Sequence, residues 1–123
     1  MLNIHIGRDV ANTYGMMDPD EKDAKGLPLT CRAVFVIADK KLKLSILYPA
    51  TTGRNVTEIL RVIDSLKLTA EKKVATPVNW KHGDKCMVIP SVKPDEAKVL
   101  FPEHTVAVVP SGKGYIRLTP QPQ

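Results

Sequence analysis

Two cysteines and one arginine are the residues of this chain best suited to redox chemistry. Arg32 directly follows Cys31, and Cys86 lies much further along the chain. A fixed positive charge favours a thiolate over a thiol, and the thiolate is the nucleophile. From these residue types alone, the simpler interpretation is that Arg32 pairs with a carboxylate at the end of a strand.

The two cysteines lie far apart in the sequence and could pair only if the fold brought them together. There is no Cys-x-x-Cys pair, so neither a dithiol motif nor a zinc knuckle is indicated. Neighbouring residues on a strand point to opposite faces, so Cys31 is expected to face away from Arg32 as a small buried apolar residue. Cys86 precedes an apolar strand and is expected to be inert.

Other ligand-binding patterns are weak. The three histidines, His5, His82 and His104, do not have the spacing of a shared metal site, and we expect no metal and no cofactor. Gly112-Lys113 does not match a phosphate-binding loop. Trp80 is expected to anchor packing rather than bind a ligand.

Composition indicates a soluble globular protein. The chain has 123 residues, of which 43% are hydrophobic and 25% charged, enough for one domain or two small ones. No apolar run reaches the roughly 20 residues that span a bilayer, and the first seven residues lack the pattern of a signal peptide. A cytosolic location is therefore expected. The net charge is +5, but the lysines are scattered and aromatics are few, so neither nucleic acid nor a membrane is the expected partner.

Hydrophobic periodicity predicts the elements of the first part of the chain. A charged loop is expected over Asp18–Pro28, and a tight connection at Asp39-Lys40 between two strands. Leu42, Leu44, Ile46 and Tyr48 alternate with other residues, which predicts one buried strand face. The predicted helices are Arg8–Tyr14 and Asn55–Leu68, and the predicted strands are Leu29–Ala38 and Leu42–Tyr48.

The composition shifts after Lys73. A turn is predicted at Trp80–Asp84 and a helix at Pro94–Phe101, with proline in its first turn. The last four residues are expected to be a frayed tail. Short strands are predicted at Met87–Ile89, Val106–Val109 and Tyr115–Leu118.

Several unusual stretches recur in one order along this chain and resemble the C-terminal half of a one-cysteine peroxiredoxin. They are Leu27-Pro28-Leu29-Thr30-Cys31-Arg32-Ala33-Val34-Phe35-Val36, Lys41-Leu42-Lys43-Leu44-Ser45-Ile46-Leu47-Tyr48-Pro49, Thr51-Thr52-Gly53-Arg54-Asn55, Ala75-Thr76-Pro77-Val78-Asn79-Trp80 and Pro110-Ser111-Gly112-Lys113-Gly114-Tyr115. The resemblance implies an α/β chain: the last strand-strand-helix part of a thioredoxin-like fold in residues 1–69, then a small α+β domain in residues 70–123. The family's peroxidatic motif, Pro-x-x-x-Thr-x-x-Cys, does not occur in this sequence.

The resemblance also implies a reaction. Such enzymes reduce hydrogen peroxide and organic hydroperoxides through a cysteine that becomes a sulfenic acid, which an external thiol such as glutathione then reduces. Arg32 falls at the position whose guanidinium stabilises the thiolate and binds the peroxide oxygens. Asp39 matches the aspartate of an acyl-hydrolase set found in some relatives, but a hairpin-turn role explains it better.

The resemblance further implies dimerisation through the edge strand. The interface residues would be Leu42, Leu44, Ile46, Leu47 and Tyr48. Three hypotheses follow: an inactive part of a peroxidase, an interaction module that pairs with itself or a full-length peroxiredoxin, or a weak peroxidase using Cys31 or Cys86. Whether the chain is itself an enzyme stays open. Because the sheet is incomplete, we expect a dimer or larger assembly, or marginal stability.

Overall fold

The structure is a computed structural model that describes residues 8–123, so the first seven residues, including His5 and the segment tested for a signal peptide, lie outside it. The chain divides by its internal contacts into residues 1–55 and residues 56–123, here called unit 1 and unit 2. This grouping places the long helix in unit 2. The predicted domain boundary between residues 69 and 70 stays a prediction.

Unit 1 begins with a short helix and a strand pair. Helix α1 (Asp9–Thr13) is followed by Tyr14, whose ring meets Phe35 edge-on with centroids 6.0 Å apart. Strand β1 (Met17–Lys22) pairs antiparallel with β2 (Pro28–Thr30).

The predicted charged loop over Asp18–Pro28 is therefore wrong over Asp18–Lys22 and at Pro28, which lie in strands. The Asp23 carboxylate accepts the N–H groups of Lys25 and Leu27, both at 2.9 Å, and so closes the turn between the two strands. Aspartate side chains in turns commonly accept hydrogen bonds from backbone N–H groups a few residues further along the chain. Asp23, one of the acidic residues that indicated a loop, thus stabilises a hairpin turn.

A longer hairpin follows. Strands β3 (Arg32–Ala38) and β4 (Lys41–Tyr48) pair antiparallel. Asp39 and Lys40 both have positive φ, 52° and 59°, as the two central residues of a type I′ hairpin turn require. This confirms the predicted tight connection. The single strand predicted from Leu29 is interrupted at Cys31, whose N–H bonds to the Met16 carbonyl at 2.8 Å.

An irregularity in β4 changes which side chains share a face. Val36 lies opposite Leu44, but Ile37 lies opposite Leu42, so Lys43 is an extra residue. Because opposed residues lie on one face, Leu42 is on the other face from Leu44. The prediction that Leu42 shares the buried face is wrong, and Leu42 is 55% exposed.

Unit 2 is a helix beside a small sheet. Helix α2 (Val56–Glu71) extends three residues beyond the predicted end, and Ser65 on it bonds to Thr76 at 2.6 Å. The four strands of the sheet are β5 (Val74–Ala75), β6 (Cys86–Val88), β7 (Thr105–Val106) and β8 (Arg117–Thr119). They lie in the order β5-β6-β8-β7 and are antiparallel throughout. Helix α3 (Pro94–Leu100) begins with proline, as predicted.

The hydrophobic core of the described residues lies entirely in unit 2. Trp80 is 1% exposed, and its indole N–H donates to the Asp84 carbonyl at 3.3 Å, which confirms its role as a packing anchor. Burial of each large apolar side chain contributes about 2 kcal/mol. The core residues are Val74, Trp80, Cys86, Val88, Val92, Ala97 and Phe101.

The C-terminal residues are held rather than frayed. The Gln121 side-chain oxygen accepts the N–H of Gly83 at 2.6 Å, so the tail is fixed to the turn before β6. The predicted tail disorder is therefore wrong at this residue. Among the helices of residues 8–123, none has the length and apolar character needed to cross a membrane.

Candidate functional site

Arg32 is presented by the β3–β4 hairpin. It is the first residue of β3, lies opposite Tyr48, and is exposed. Its Nε donates to the Ala50 carbonyl at 2.7 Å. A turn in which Thr52 N–H bonds to the Pro49 carbonyl at 2.9 Å follows β4 and surrounds Ala50. The hairpin therefore supplies both the guanidinium and the acceptor that orients it.

Among residues 8–123, the other N–H donors of Arg32 have no hydrogen-bond partner. A guanidinium carries five N–H donors, and the Ala50 carbonyl takes only the one on Nε. Within residues 8–123, none of the ion pairs involves Arg32, so the strand-end carboxylate suggested by the simpler interpretation is not found. An exposed, oriented guanidinium is suited to binding an anion or a polar oxygen.

Cys31 does not share the surroundings of Arg32. It is half-buried, and its Sγ donates to the Met16 carbonyl at 2.9 Å. The thiol is thus directed at the start of β1, while the guanidinium is directed at the turn after β4. The structure does not bring these two side chains together as a nucleophile and its activator.

Cys86 lies in the core of unit 2. It is 0% exposed, and its Sγ lies 3.8 Å from the Asp84 carbonyl. Burial raises the pKa of the Cys86 thiol, because a thiolate would lose its hydration there. Both cysteines are free thiols. Neither has the exposed, electropositive surroundings of a reactive cysteine.

The remaining candidates occupy ordinary structural positions. Asp39 is an exposed residue of the type I′ turn. His104 Nδ1 bonds to the Phe101 carbonyl at 2.7 Å at the end of α3. In the part of the chain that the structure describes, no three His, Cys, Asp or Glu residues form a metal-binding group.

Asp18 is a residue that the sequence reading missed. It is 8% exposed, and its Oδ1 accepts the N–H groups of Asp20 and Glu21, both at 3.0 Å. The N–H of Glu21, then that of Asp20 and, more weakly, that of Ala50 hold the pKa of this carboxyl below its usual value. The sequence signal was Asp18-Pro19, a turn-initiating pair.

The apolar side chains of β4, the strand predicted to mediate dimerisation, differ in their exposure. Leu44, Ile46 and Tyr48 are half-buried, whereas Leu42 and Leu47 are exposed. Among the described strands, β4 pairs only with β3, so its other edge is unpaired. The interface itself stays a prediction.

Comparison with known proteins gives one consistent family. Residues 65–104 match the family described as the C-terminal domain of 1-Cys peroxiredoxin. Peroxiredoxin-6 of Bos taurus is 64% identical over 117 residues, which cover 94% of this chain and 52% of that protein. The 1-Cys peroxiredoxin of Onchocerca volvulus is 62% identical over 119 residues, covering 94% and 51% respectively.

Solved structures agree. A crystal structure of a mutant of the peroxiredoxin 6 of Arenicola marina has a TM-score of 0.92 and 68% identity, covering 95% of this chain and 54% of that chain. A yeast mitochondrial 1-Cys peroxiredoxin has a TM-score of 0.75 and 41% identity, covering 92% and 52%. Its description concerns thiol resolving via glutathione and thioredoxin systems.

These observations identify an α/β protein of the peroxiredoxin class. Within that class, the chain belongs to the one-cysteine peroxiredoxins and corresponds to their C-terminal half. It spans about half the length of the curated relatives that it matches. The predicted family and fold class are confirmed.

Proposed function

We propose that this chain is the arginine-bearing half of a thiol-dependent peroxidase. The observation that carries the proposal is the state of Arg32: exposed, oriented by the Ala50 carbonyl, and without an ion-pair partner among residues 8–123. Membership in the one-cysteine peroxiredoxins supports the choice of peroxide as the substrate class.

The proposed reaction needs a thiolate close to this guanidinium. Thiolate sulfur attacks one peroxide oxygen, the S–O bond forms, the O–O bond breaks, and the leaving oxygen departs as water or an alcohol after taking a proton. The cysteine becomes a sulfenic acid, which an external thiol reduces. Arg32 would favour the thiolate and donate hydrogen bonds to the oxygen on which charge develops.

The attacking cysteine in this proposal lies outside these 123 residues. The family's Pro-x-x-x-Thr-x-x-Cys motif does not occur here. The Cys31 thiol donates to the Met16 carbonyl, and Cys86 is buried in the core of unit 2. We therefore place the weak-peroxidase hypothesis below the others. Glutathione is the proposed reductant class, since the yeast relative is described with glutathione and thioredoxin systems. The proposed location is the cytosol.

The proposal is tested by measuring the rate at which the purified chain and its variants consume hydrogen peroxide. We expect the purified chain, and its Cys31→Ala and Cys86→Ala variants, to consume peroxide with glutathione no faster than free cysteine does. A chimera with the N-terminal half of the bovine relative fused ahead of this chain should be active. In that chimera Arg32→Ala should lower the rate by about a hundredfold or more, as for other donors to a developing oxyanion.

Arg8→Ala is the matched control, because Arg8 also donates to a backbone carbonyl, that of Pro28 at 2.6 Å. We expect it to leave the rate of the chimera within about twofold of the parent, as for other surface substitutions. Equal rates for the Arg32→Ala variant and the parent chimera would contradict the proposed role.

A second candidate function is an interaction module. The unpaired edge of β4 and the exposed Leu42 and Leu47 favour it, because an open apolar edge recruits another strand. Homodimers, or association with a full-length peroxiredoxin, are both compatible with this surface. The two candidate functions are compatible with each other.

A further inference from the structure

We infer that Arg117 is the centre of an oxyanion-binding site in unit 2. Strand β8 places this arginine on a face of the sheet where charged side chains are rare, and no carboxylate of the described residues pairs with it. The inference is independent of the proposed function, because it involves neither Arg32 nor a cysteine thiol.

Arg117 lies on the face of the sheet that carries the core. On β8 the side chains of Arg117 and Thr119 point to the same face, since these residues are two positions apart. Thr119 lies opposite Cys86, a core residue that is 0% exposed. Arg117 is itself 8% exposed, and it is the only buried charged residue among the described residues of unit 2.

The positive charge of Arg117 is not neutralised within residues 8–123. None of the ion pairs among these residues involves Arg117. Its hydrogen bond runs from Nη2 to the Ile89 carbonyl at 2.9 Å, and that carbonyl also accepts the Val92 N–H at 3.1 Å. A backbone carbonyl carries no net charge, whereas buried charges in proteins are normally paired with an opposite charge.

The unused donors of this guanidinium can be reached from solution. A guanidinium has five N–H donors, and Arg117 uses one of them within residues 8–123. Each side-chain nitrogen or oxygen of the described residues that is buried away from solvent has a hydrogen-bond partner. Nε and Nη1 of Arg117 make no hydrogen bond to these residues, so both atoms touch solvent. An anion can therefore approach them, and a planar guanidinium binds two oxygens of a carboxylate or phosphate through parallel N–H groups.

Arg61 is an arginine of the same unit whose charge is already paired. Its Nε and Nη2 donate to the two carboxylate oxygens of Glu58 at 2.6 and 2.8 Å. We expect an oxyanion to take this bidentate arrangement on Arg117. Arg61 is therefore the matched control, since its guanidinium has little left to offer an added anion.

The alternative is that Arg117 only fixes the turn before α3. Its aliphatic stem would then cover the core, and its head would donate to Ile89 and otherwise be solvated by water. Such a structural role predicts that the Arg117 guanidinium responds to an added anion no more than that of Arg61.

The test is a titration of the full 123-residue chain with inorganic phosphate, replacing sodium chloride at constant ionic strength. The Nε–H signals of Arg117 and Arg61 in NMR spectra of ¹³C,¹⁵N-labelled protein are assigned through their side-chain carbons. We expect the Arg117 signal to move and to saturate, with half-saturation at roughly 10 mM, the affinity expected for one or two charge-assisted hydrogen bonds. The Arg61 signal should stay in place. A displacement of the Arg117 signal without saturation, or no larger than that of Arg61, would overturn the inference.

Urea unfolding followed by Trp80 fluorescence gives a second readout. Phosphate should raise the unfolding midpoint of the parent and of Arg61→Met more than that of Arg117→Met, because a bound ligand adds to the general salt effect that all three proteins share. An equal rise in all three proteins would contradict the site. If Arg117→Met does not fold, the titration of the parent decides alone. Neither readout involves peroxide consumption, so failure of this inference is distinct from failure of the proposed function.

Discussion

The side chains of Cys31 and Arg32 contact different parts of unit 1 although the residues are adjacent in sequence. The thiol donates to the Met16 carbonyl, and the guanidinium donates to the Ala50 carbonyl. The alternation of side chains along a strand predicted this separation. It could not predict the acceptors, because these backbone atoms are distant in sequence and become neighbours only when both hairpins form.

Thiol reactivity should separate the two cysteines. At pH 8 we expect Cys86 to react with a disulfide reagent at least about a hundredfold more slowly than in the unfolded chain, because a buried thiol reacts only after local opening. Its raised pKa adds to this protection, since the neutral thiol is a poor nucleophile. Cys31, which is half-buried, should react first.

The measurement is release of the chromophore from the reagent by Cys31→Ala and Cys86→Ala, each carrying one remaining thiol. Urea-unfolded samples of the same variants give the reference rates. Fast reaction of the Cys31→Ala protein without urea would show that the Cys86 site is open.

The elements with strong local signals were predictable from the sequence. Helix α2 has apolar residues at helical spacing, the β3–β4 hairpin has alternating residues, and α3 begins with proline. Strand β1 was missed because its acidic residues resemble a loop, yet the Asp18 carboxylate in it accepts two backbone N–H groups. The extra residue Lys43 was missed because a bulge depends on pairing with β3.

The C-terminal segment, which the sequence predicted to be a frayed tail, contains a contact whose contribution to stability can be tested. Gln121→Ala removes the acceptor of the Gly83 N–H. We expect unit 2 to lose about 0.5–1 kcal/mol of stability, the value of one partly exposed hydrogen bond. Gln123→Ala is the control, because Gln123 is exposed at the chain end and should change stability by less than about 0.5 kcal/mol.

Trp80 makes this change measurable for unit 2 alone. It is the single tryptophan of the chain and lies in the core of that unit, so its fluorescence during urea unfolding reports unit 2. A midpoint for Gln121→Ala equal to that of Gln123→Ala would show that the contact does not stabilise the fold.

At the scale of the whole molecule, the two units differ in the contacts that stabilise each of them internally. Unit 2 contains all the buried apolar side chains of residues 8–123, whereas unit 1 consists of two separate strand pairs and a five-residue helix. Two-stranded sheets are marginally stable in water without further packing. Unit 1 is therefore expected to depend on contacts with a partner.

Assembly through β4 is the contact that unit 1 offers. We expect the chain to sediment as a dimer at micromolar concentration, and Leu47→Lys to weaken that dimer by about tenfold or more, since a buried charge without a partner is costly. Leu47 is 53% exposed on β4. Val78→Lys is the control, because Val78 is 88% exposed and belongs to unit 2 rather than to β4. Sedimentation of the three proteins across a range of concentrations measures the effect. A monomer with one sharp, cooperative melt would show that unit 1 needs no partner, whereas equal weakening by both lysines would place the interface elsewhere.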